Sequence, residues 1–125
     1  MKILIVDDMP TVRKMIQLQL AKLGYPDVVV ADNGADAWII LENANPRVDL
    51  IISDWTMPVC TGIALLKRVR ASRSTKHIPF IMVTAEGEDC SLKEAKEAGV
   101  TDYVVKPLNV PAIVQNFKKY FNQAA

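Results

Sequence analysis

Short apolar runs alternate with longer stretches of mixed polarity along the whole of this 125-residue chain. Ile3 to Val6, Val28 to Ala31, Leu50 to Ser53, Phe80 to Val83 and Asp102 to Val105 have the length and apolar character of strands. Between them, apolar residues recur at helical spacing. Val12, Ile16, Leu20 and Leu23 form a stripe over a helix from Pro10 to Leu23, with Pro10 suited to the first turn and Gly24 to the stop. A second helix spans Gly34 to Asn43, before a loop carrying Pro46. A third follows the Met57-Pro58 loop on a stripe of Ile63, Leu66 and Val69 or Arg70, and Pro79 introduces the fourth strand. Ser91 to Ala98 is a fourth helix ended by Gly99, and Pro111 opens a last one with Ile113, Phe117, Tyr120 and Phe121 on its stripe. Trp38 and Met15 read as helix packing, and His77, beside Pro79, as a loop residue. Five βα units fill the chain and predict an α/β domain with a parallel sheet.

Four of the five runs end in reactive polar residues: the first in Asp7 and Asp8, the third in Asp54, the fourth in Thr84 and the fifth in Lys106. In a parallel sheet the C-terminal strand ends share one edge, so three carboxylates, a hydroxyl and an ammonium converge on one cleft. Each residue has a plainer reading alone. Asp7 and Asp8 could be acidic residues facing a helix dipole, Asp54 a loop-initiating aspartate and Lys106 a surface lysine. Together the three aspartates repel one another unless a cation intervenes. Oxygen donors without His or Cys favour a hard ion, and a small carboxylate set that leaves room for water and phosphoryl oxygen suits Mg2+. Three aspartates and Lys106 sum to −2, which Mg2+ cancels. A carboxylate on a metal, facing an ammonium and a hydroxyl, is arranged to receive a phosphoryl group.

Composition narrows the choices further. Half the residues are hydrophobic, enough for one core in a chain that has no room for a second domain. The net charge of +1 and the dispersed basic residues give no footprint for nucleic acid or an anionic membrane. The first apolar run is too short for a signal sequence or a membrane span, so a soluble cytoplasmic protein is expected. Cys60 and Cys90 show no metal or redox spacing and read as free thiols.

The motifs Val6-Asp7-Asp8, Ser53-Asp54-Trp55-Thr56-Met57-Pro58, Met82-Val83-Thr84-Ala85 and Tyr103-Val104-Val105-Lys106-Pro107 resemble those of two-component response-regulator receiver domains, and closely those of single-domain chemotaxis receivers. All four occur in order at matching spacing, and the resemblance covers essentially the whole chain. It implies a doubly wound, flavodoxin-like five-stranded parallel sheet of order 2-1-3-4-5 flanked by five helices, a single receiver domain over residues 1–125 without an output domain, and a monomer. It also implies that Asp54 is the phosphoacceptor, and that Asp8 and Asp7 hold Mg2+ directly and through water, with the Thr56 backbone carbonyl as a further ligand. Thr84 then corresponds to the switch hydroxyl, Lys106 to the phosphate-pairing lysine, Tyr103 to the aromatic switch and Lys106-Pro107 to a cis bond. A sensor histidine kinase is the implied donor. A flagellar motor switch protein and a phosphatase are candidate partners, and Lys93, Lys96, Tyr103, Lys118 and Lys119 are candidate members of an output face.

This chain departs from the family pattern at two points. Val59-Cys60-Thr61-Gly62 lacks the usual acidic residue before the glycine, leaving Thr61 as the expected helix cap. Two positions beyond Asp54, Thr56 replaces the asparagine of the chemotaxis receivers that the chain resembles, while Glu86 keeps the acidic residue two beyond Thr84; both flank the expected path of attacking water and bear on phosphoryl lifetime. Trp55, beside Asp54, is an expected fluorescent reporter of metal binding. Within the receiver class, a phosphorelay shuttle or a regulator acting on another target in trans are alternatives to motor control. A flavin-binding protein of the same architecture would need a Ser/Thr/Gly-rich loop where Asp7 and Asp8 stand. An aspartyl-phosphate phosphatase would need D-x-D, and position 9 is Met.

Overall fold

A computed structural model of the chain describes residues 1–44, 47–54, 62–84, 89–105 and 109–121. Its strands are β1 (Ile3–Val6), β2 (Val28–Ala31), β3 (Leu50–Asp54), β4 (Phe80–Thr84) and β5 (Asp102–Val105). They form one parallel sheet in the order β2-β1-β3-β4-β5. The helices among the described residues are α1 (Pro10–Lys22), α2 (Gly34–Asn43), α3 (Gly62–Ala71), α4 (Asp89–Ala98), α5 (Val110–Asn116) and α6 (Lys118–Phe121).

Side chains alternate across a strand, and here both directions lead into an apolar layer. Leu4, Val6, Ile51, Phe80 and Met82 pack with Ala37, Trp38 and Leu41 of α2 and Leu65, Leu66 and Val69 of α3. Ile3, Ile5, Leu50, Ile52, Ile81 and Val83 pack on the other side with Ile16 and Leu20 of α1, Val110 and Ile113 of α5 and Phe121 of α6. Two layers explain the unbroken apolar runs of the central strands.

Local signals set the helix ends. Asn33 and Asn109 accept backbone N–H bonds from Asp36 and Ala112 at 2.8 and 3.0 Å, capping α2 and α5. Gly24 and Gly99 take positive φ, +98° and +94°, and each closes its helix with a paired backbone motif. Gly24 N–H bonds Ala21 and Tyr25 N–H bonds Leu20, while Gly99 N–H bonds Lys96 and Val100 N–H bonds Ala95.

At the N-terminal edge of the sheet Arg70 gathers the segments that enter β4 and β5. Arg70, at the end of α3, donates from Nε to the Gly99 carbonyl at 2.8 Å, from Nη1 to the carbonyls of Lys76 and Ile78 at 3.0 and 2.7 Å, and from Nη2 to Thr101 Oγ1 at 3.2 Å. Thr101 Oγ1 also accepts the Phe80 N–H at 2.8 Å. The guanidinium thus ties the end of α3 to the end of α4 and to the segments leading into β4 and β5.

The structure corrects several sequence expectations. β3 and β4 each run one residue further, through Asp54 and Thr84, because Asp54 still pairs with Val83 and Thr84 with Val105. α4 begins at Asp89, two residues before Ser91. α1 stops at Lys22, and Leu23, its C-cap, is 41% exposed. Met15 is 37% exposed rather than packed, since it lies one residue, or about 100° of helix, from the buried Ile16–Leu20 line. The single C-terminal helix expected from Pro111 is two, beginning at Val110 and broken at Phe117 (φ −113°, ψ 35°). Phe121, on the expected stripe, is fully buried and meets the Tyr25 ring edge-on, 5.3 Å between centroids. His77 is in the loop as expected, and Trp38 is buried under the Arg68 guanidinium, 4.7 Å from the ring centroid. Among the described residues no helix is long and apolar enough to cross a membrane.

Candidate functional site

At the C-terminal edge the chain leaves β1 through Asp7 and Asp8, and β3 ends at Asp54 on the neighbouring strand. The β1–β3 register places Val6 opposite Ser53, so the residue after each comes to the same rim. One carboxylate oxygen from each of Asp7, Asp8 and Asp54 lies within 4.8 Å of the others. Asp7 and Asp54 are nearly buried, 3% and 5% exposed, while Asp8 is open to solvent.

Asp7 is held from several sides. Its N–H donates to the Ala31 carbonyl at 3.1 Å, joining it to the end of β2. Its Oδ1 accepts the Met9 N–H at 2.8 Å, which serves the start of α1, where Met9 offers no capping side chain. Its carbonyl accepts a 2.7 Å bond from Arg13 Nη1 on the first turns of α1. Beside it, Ser53 is fully buried and its Oγ donates to the Asp54 carbonyl at 3.1 Å.

Two carboxylate charges 4.8 Å apart repel by about 3.5 kcal/mol at an effective dielectric of 20, and solvent around Asp8 weakens its share. A cation converts this conflict into attraction. The donors are carboxylate oxygens with no nitrogen or sulfur among them, which suits a hard divalent ion. A three-carboxylate corner with one side open to water fits Mg2+ better than a full Ca2+ cage. The residues present therefore fit the ion expected from the sequence.

The remaining expected site residues divide as follows. Thr84 is the last residue of β4, adjacent to β3 in the sheet, while the expectation for its hydroxyl concerns a side chain outside the described set. Tyr103, on β5, pairs with Met82 and is half-buried against the α2–α3 layer. Lys93, Lys96, Lys118 and Lys119 are exposed. Thr56 and Lys106 lie outside the described residues, as do Trp55, Cys60, Thr61, Glu86 and Pro107, and the side chain of Cys90 is likewise outside. Arg13 carries no motif and was not singled out by the sequence. Its place six residues beyond Asp7, one turn into α1, is the available signal.

Comparison with known proteins identifies the family and the fold. The family described as "Response regulator receiver domain" matches residues 3–118. The chain is 43% identical over 123 residues to the chemotaxis protein CheY of Pseudomonas aeruginosa, covering 98% of each. In structure it is similar to the chemotaxis response regulator CheY4 of Vibrio cholerae, with a TM-score of 0.85 and 35% identity over 95% of this chain and 97% of that one. It is also similar to the receiver domain of a sensor histidine kinase from Pseudomonas aeruginosa PAO1, described with a magnesium ion coordinated in its active-site cleft. That likeness has a TM-score of 0.85 and 27% identity, covering 98% of each chain.

Proposed function

The chain belongs to the response-regulator receiver family, a family of two-component signalling switches, and on that premise we propose that it is a stand-alone regulator phosphorylated on Asp54 by a sensor histidine kinase. The observation that carries this reading is the gathering of Asp7, Asp8 and Asp54 within 4.8 Å on the C-terminal rim of the sheet. Asp54 is the nucleophile. Its carboxylate oxygen forms a bond to phosphorus as the P–N bond of a phosphohistidine breaks, and that electron pair returns to the imidazole. The position of Asp54 at a strand end, 5% exposed, supports that role by limiting the approach open to a phosphoryl donor. Asp7, Asp8, Asp54 and the Thr56 backbone carbonyl would hold Mg2+, which when bound supplies positive charge for the phosphoryl oxygens. Lys106 and the Thr84 hydroxyl each take a phosphoryl oxygen, while Thr56 and Glu86 set access of the water that ends the signal.

Movement of Thr84 toward the phosphate makes room for Tyr103 to turn inward, shifting the population of states of the face formed by α4, β5 and α5. That face, with Lys93 and Lys96 on α4 and extended by Lys118 and Lys119 on α6, engages the output partner. The likeness to chemotaxis receivers supports a flagellar motor switch protein, with a phosphatase as a second partner. The test is incubation with acetyl phosphate and Mg2+ followed by mass spectrometry. Wild type gains an acid-labile phosphate and Asp54→Ala does not; labelling of Asp54→Ala at the wild-type rate overturns the assignment. Pull-down with the Mg2+ and beryllofluoride form, compared with the untreated protein, identifies the output partner.

A further inference from the structure

Asp7 and Asp8 sit in the short connection between β1 and α1, where like charges push the carboxylates apart. Ala31 fixes the Asp7 N–H and Met9 fixes one carboxylate oxygen. The third hold comes from a side chain, Arg13 Nη1 on the Asp7 carbonyl at 2.7 Å. Arg13 also lines a cavity of about 430 Å3 with Asp32 and Asp36, whose carboxylates offer a cation an alternative attraction, yet the guanidinium is hydrogen-bonded to the Asp7 carbonyl. The carbonyl belongs to the peptide that joins the two acidic residues. Whatever fixes that peptide plane fixes the direction in which Asp8 leaves it.

We propose that Arg13 is a positioning residue for the divalent-cation site: its bond to the Asp7 carbonyl holds the Asp7–Asp8 peptide in the orientation that brings both carboxylates to Asp54. The proposal rests on the reading of the three aspartates as a Mg2+ site. It sets two effects of Arg13 against each other. Its positive charge alone disfavours a second cation nearby, so a purely electrostatic role predicts tighter Mg2+ binding on neutralisation. A clamp predicts weaker binding, because the unliganded carboxylates then spread and must be gathered again. Partners that orient metal ligands commonly change affinity by about 10-fold or more when removed.

The experiment is calorimetric Mg2+ titration of wild type, Arg13→Met, Arg13→Lys and Lys14→Met, with thermal melts in Mg2+-free buffer alongside. Arg13→Met keeps the length and apolar stem and is expected to raise Kd about 10-fold. Arg13→Lys, which retains one donor, should fall between it and wild type. Lys14→Met removes the same charge from an exposed neighbour and should leave Kd within two-fold of wild type, roughly the scatter expected of a surface change. Amide exchange of Met9 in the Mg2+-free protein provides a readout in the absence of metal, and is expected to be faster in Arg13→Met. Unchanged or tighter Mg2+ binding in Arg13→Met, or unchanged Met9 exchange, overturns the clamp while leaving the site intact. If wild type shows no saturable binding, or Asp54→Ala binds as well as wild type, the site reading itself fails and the clamp falls with it.

Discussion

The two rims of this sheet are built on opposite electrostatic plans. At the N-terminal rim one cation, Arg70, is surrounded by acceptors, three carbonyls and a hydroxyl, and its burial pushes its pKa down through desolvation alone. At the C-terminal rim three anions are gathered within 4.8 Å, two of them nearly buried. The first rim is satisfied by the chain itself. The second gathers like charges where a divalent cation would bind. The contrast teaches where a parallel α/β fold places its stability and where it places its chemistry, since both rims are fed by the same five strands.

The largest expected effect comes from removing the satisfied rim. Arg70→Met keeps much of the stem and deletes every donor, leaving the carbonyls of Lys76, Ile78 and Gly99 to find other partners. A cost of about 2–3 kcal/mol follows, near 10 °C in Tm for a domain of this size, measured by thermal melts. Mg2+ affinity should be unchanged. An equal loss of Mg2+ binding would mean that the two rims are coupled.

Asp7→Asn should move stability the other way. The amide oxygen can still accept the Met9 N–H, while one of three clustered charges disappears. In Mg2+-free buffer a gain of about 1 kcal/mol is expected, smaller than the bare repulsion because solvent screens Asp8. Added Mg2+ should then stabilise the variant less than it stabilises wild type. A variant less stable than wild type without metal would show that the carboxylate cluster is not under tension.

The smallest effect lies beside the site, at the start of α2. The Asp36 carboxyl is raised above its ordinary 3.8 chiefly by its hydrogen bond with Asp32, then by desolvation and by the Asp32 charge, against a lowering contribution from Asn33. A carboxyl with a raised folded-state pKa holds its proton more tightly in the folded chain. Its stabilising contribution is therefore present at low pH and is lost as pH rises from 3.8 through the raised value. Asp36→Asn should flatten the decline of Tm with pH over that window, and an unchanged slope would remove Asp36 from the account.

The sequence made the sheet legible because its strands carry apolar runs without alternation, and it made Asp7, Asp8 and Asp54 legible because parallel strands bring their C-terminal ends to one rim. It was silent where partners are distant and mostly backbone. The third helical stripe could end at Val69 or at Arg70 by spacing alone. The structure buries Val69 and leaves Arg70 half-buried, with bonds to groups up to 31 residues away that no local pattern encodes. The break at Phe117 is likewise absent from the helical period, which still places Phe121 on the stripe that the structure buries. Met15 shows the same limit, an apolar residue whose exposure depends on which arc of α1 faces the sheet.

Asp7 and Asp54 are separated by 47 positions in the chain and meet only when β1 and β3 have paired. A cation that binds all three carboxylates therefore binds the folded chain and finds no equivalent in the unfolded one. At a free concentration ten times its Kd it would add about 1.4 kcal/mol to folding stability. Cellular magnesium would thus act as a folding ligand for this protein before it acts as a chemical one, and the amount of folded switch would follow ion supply even when no phosphate is present.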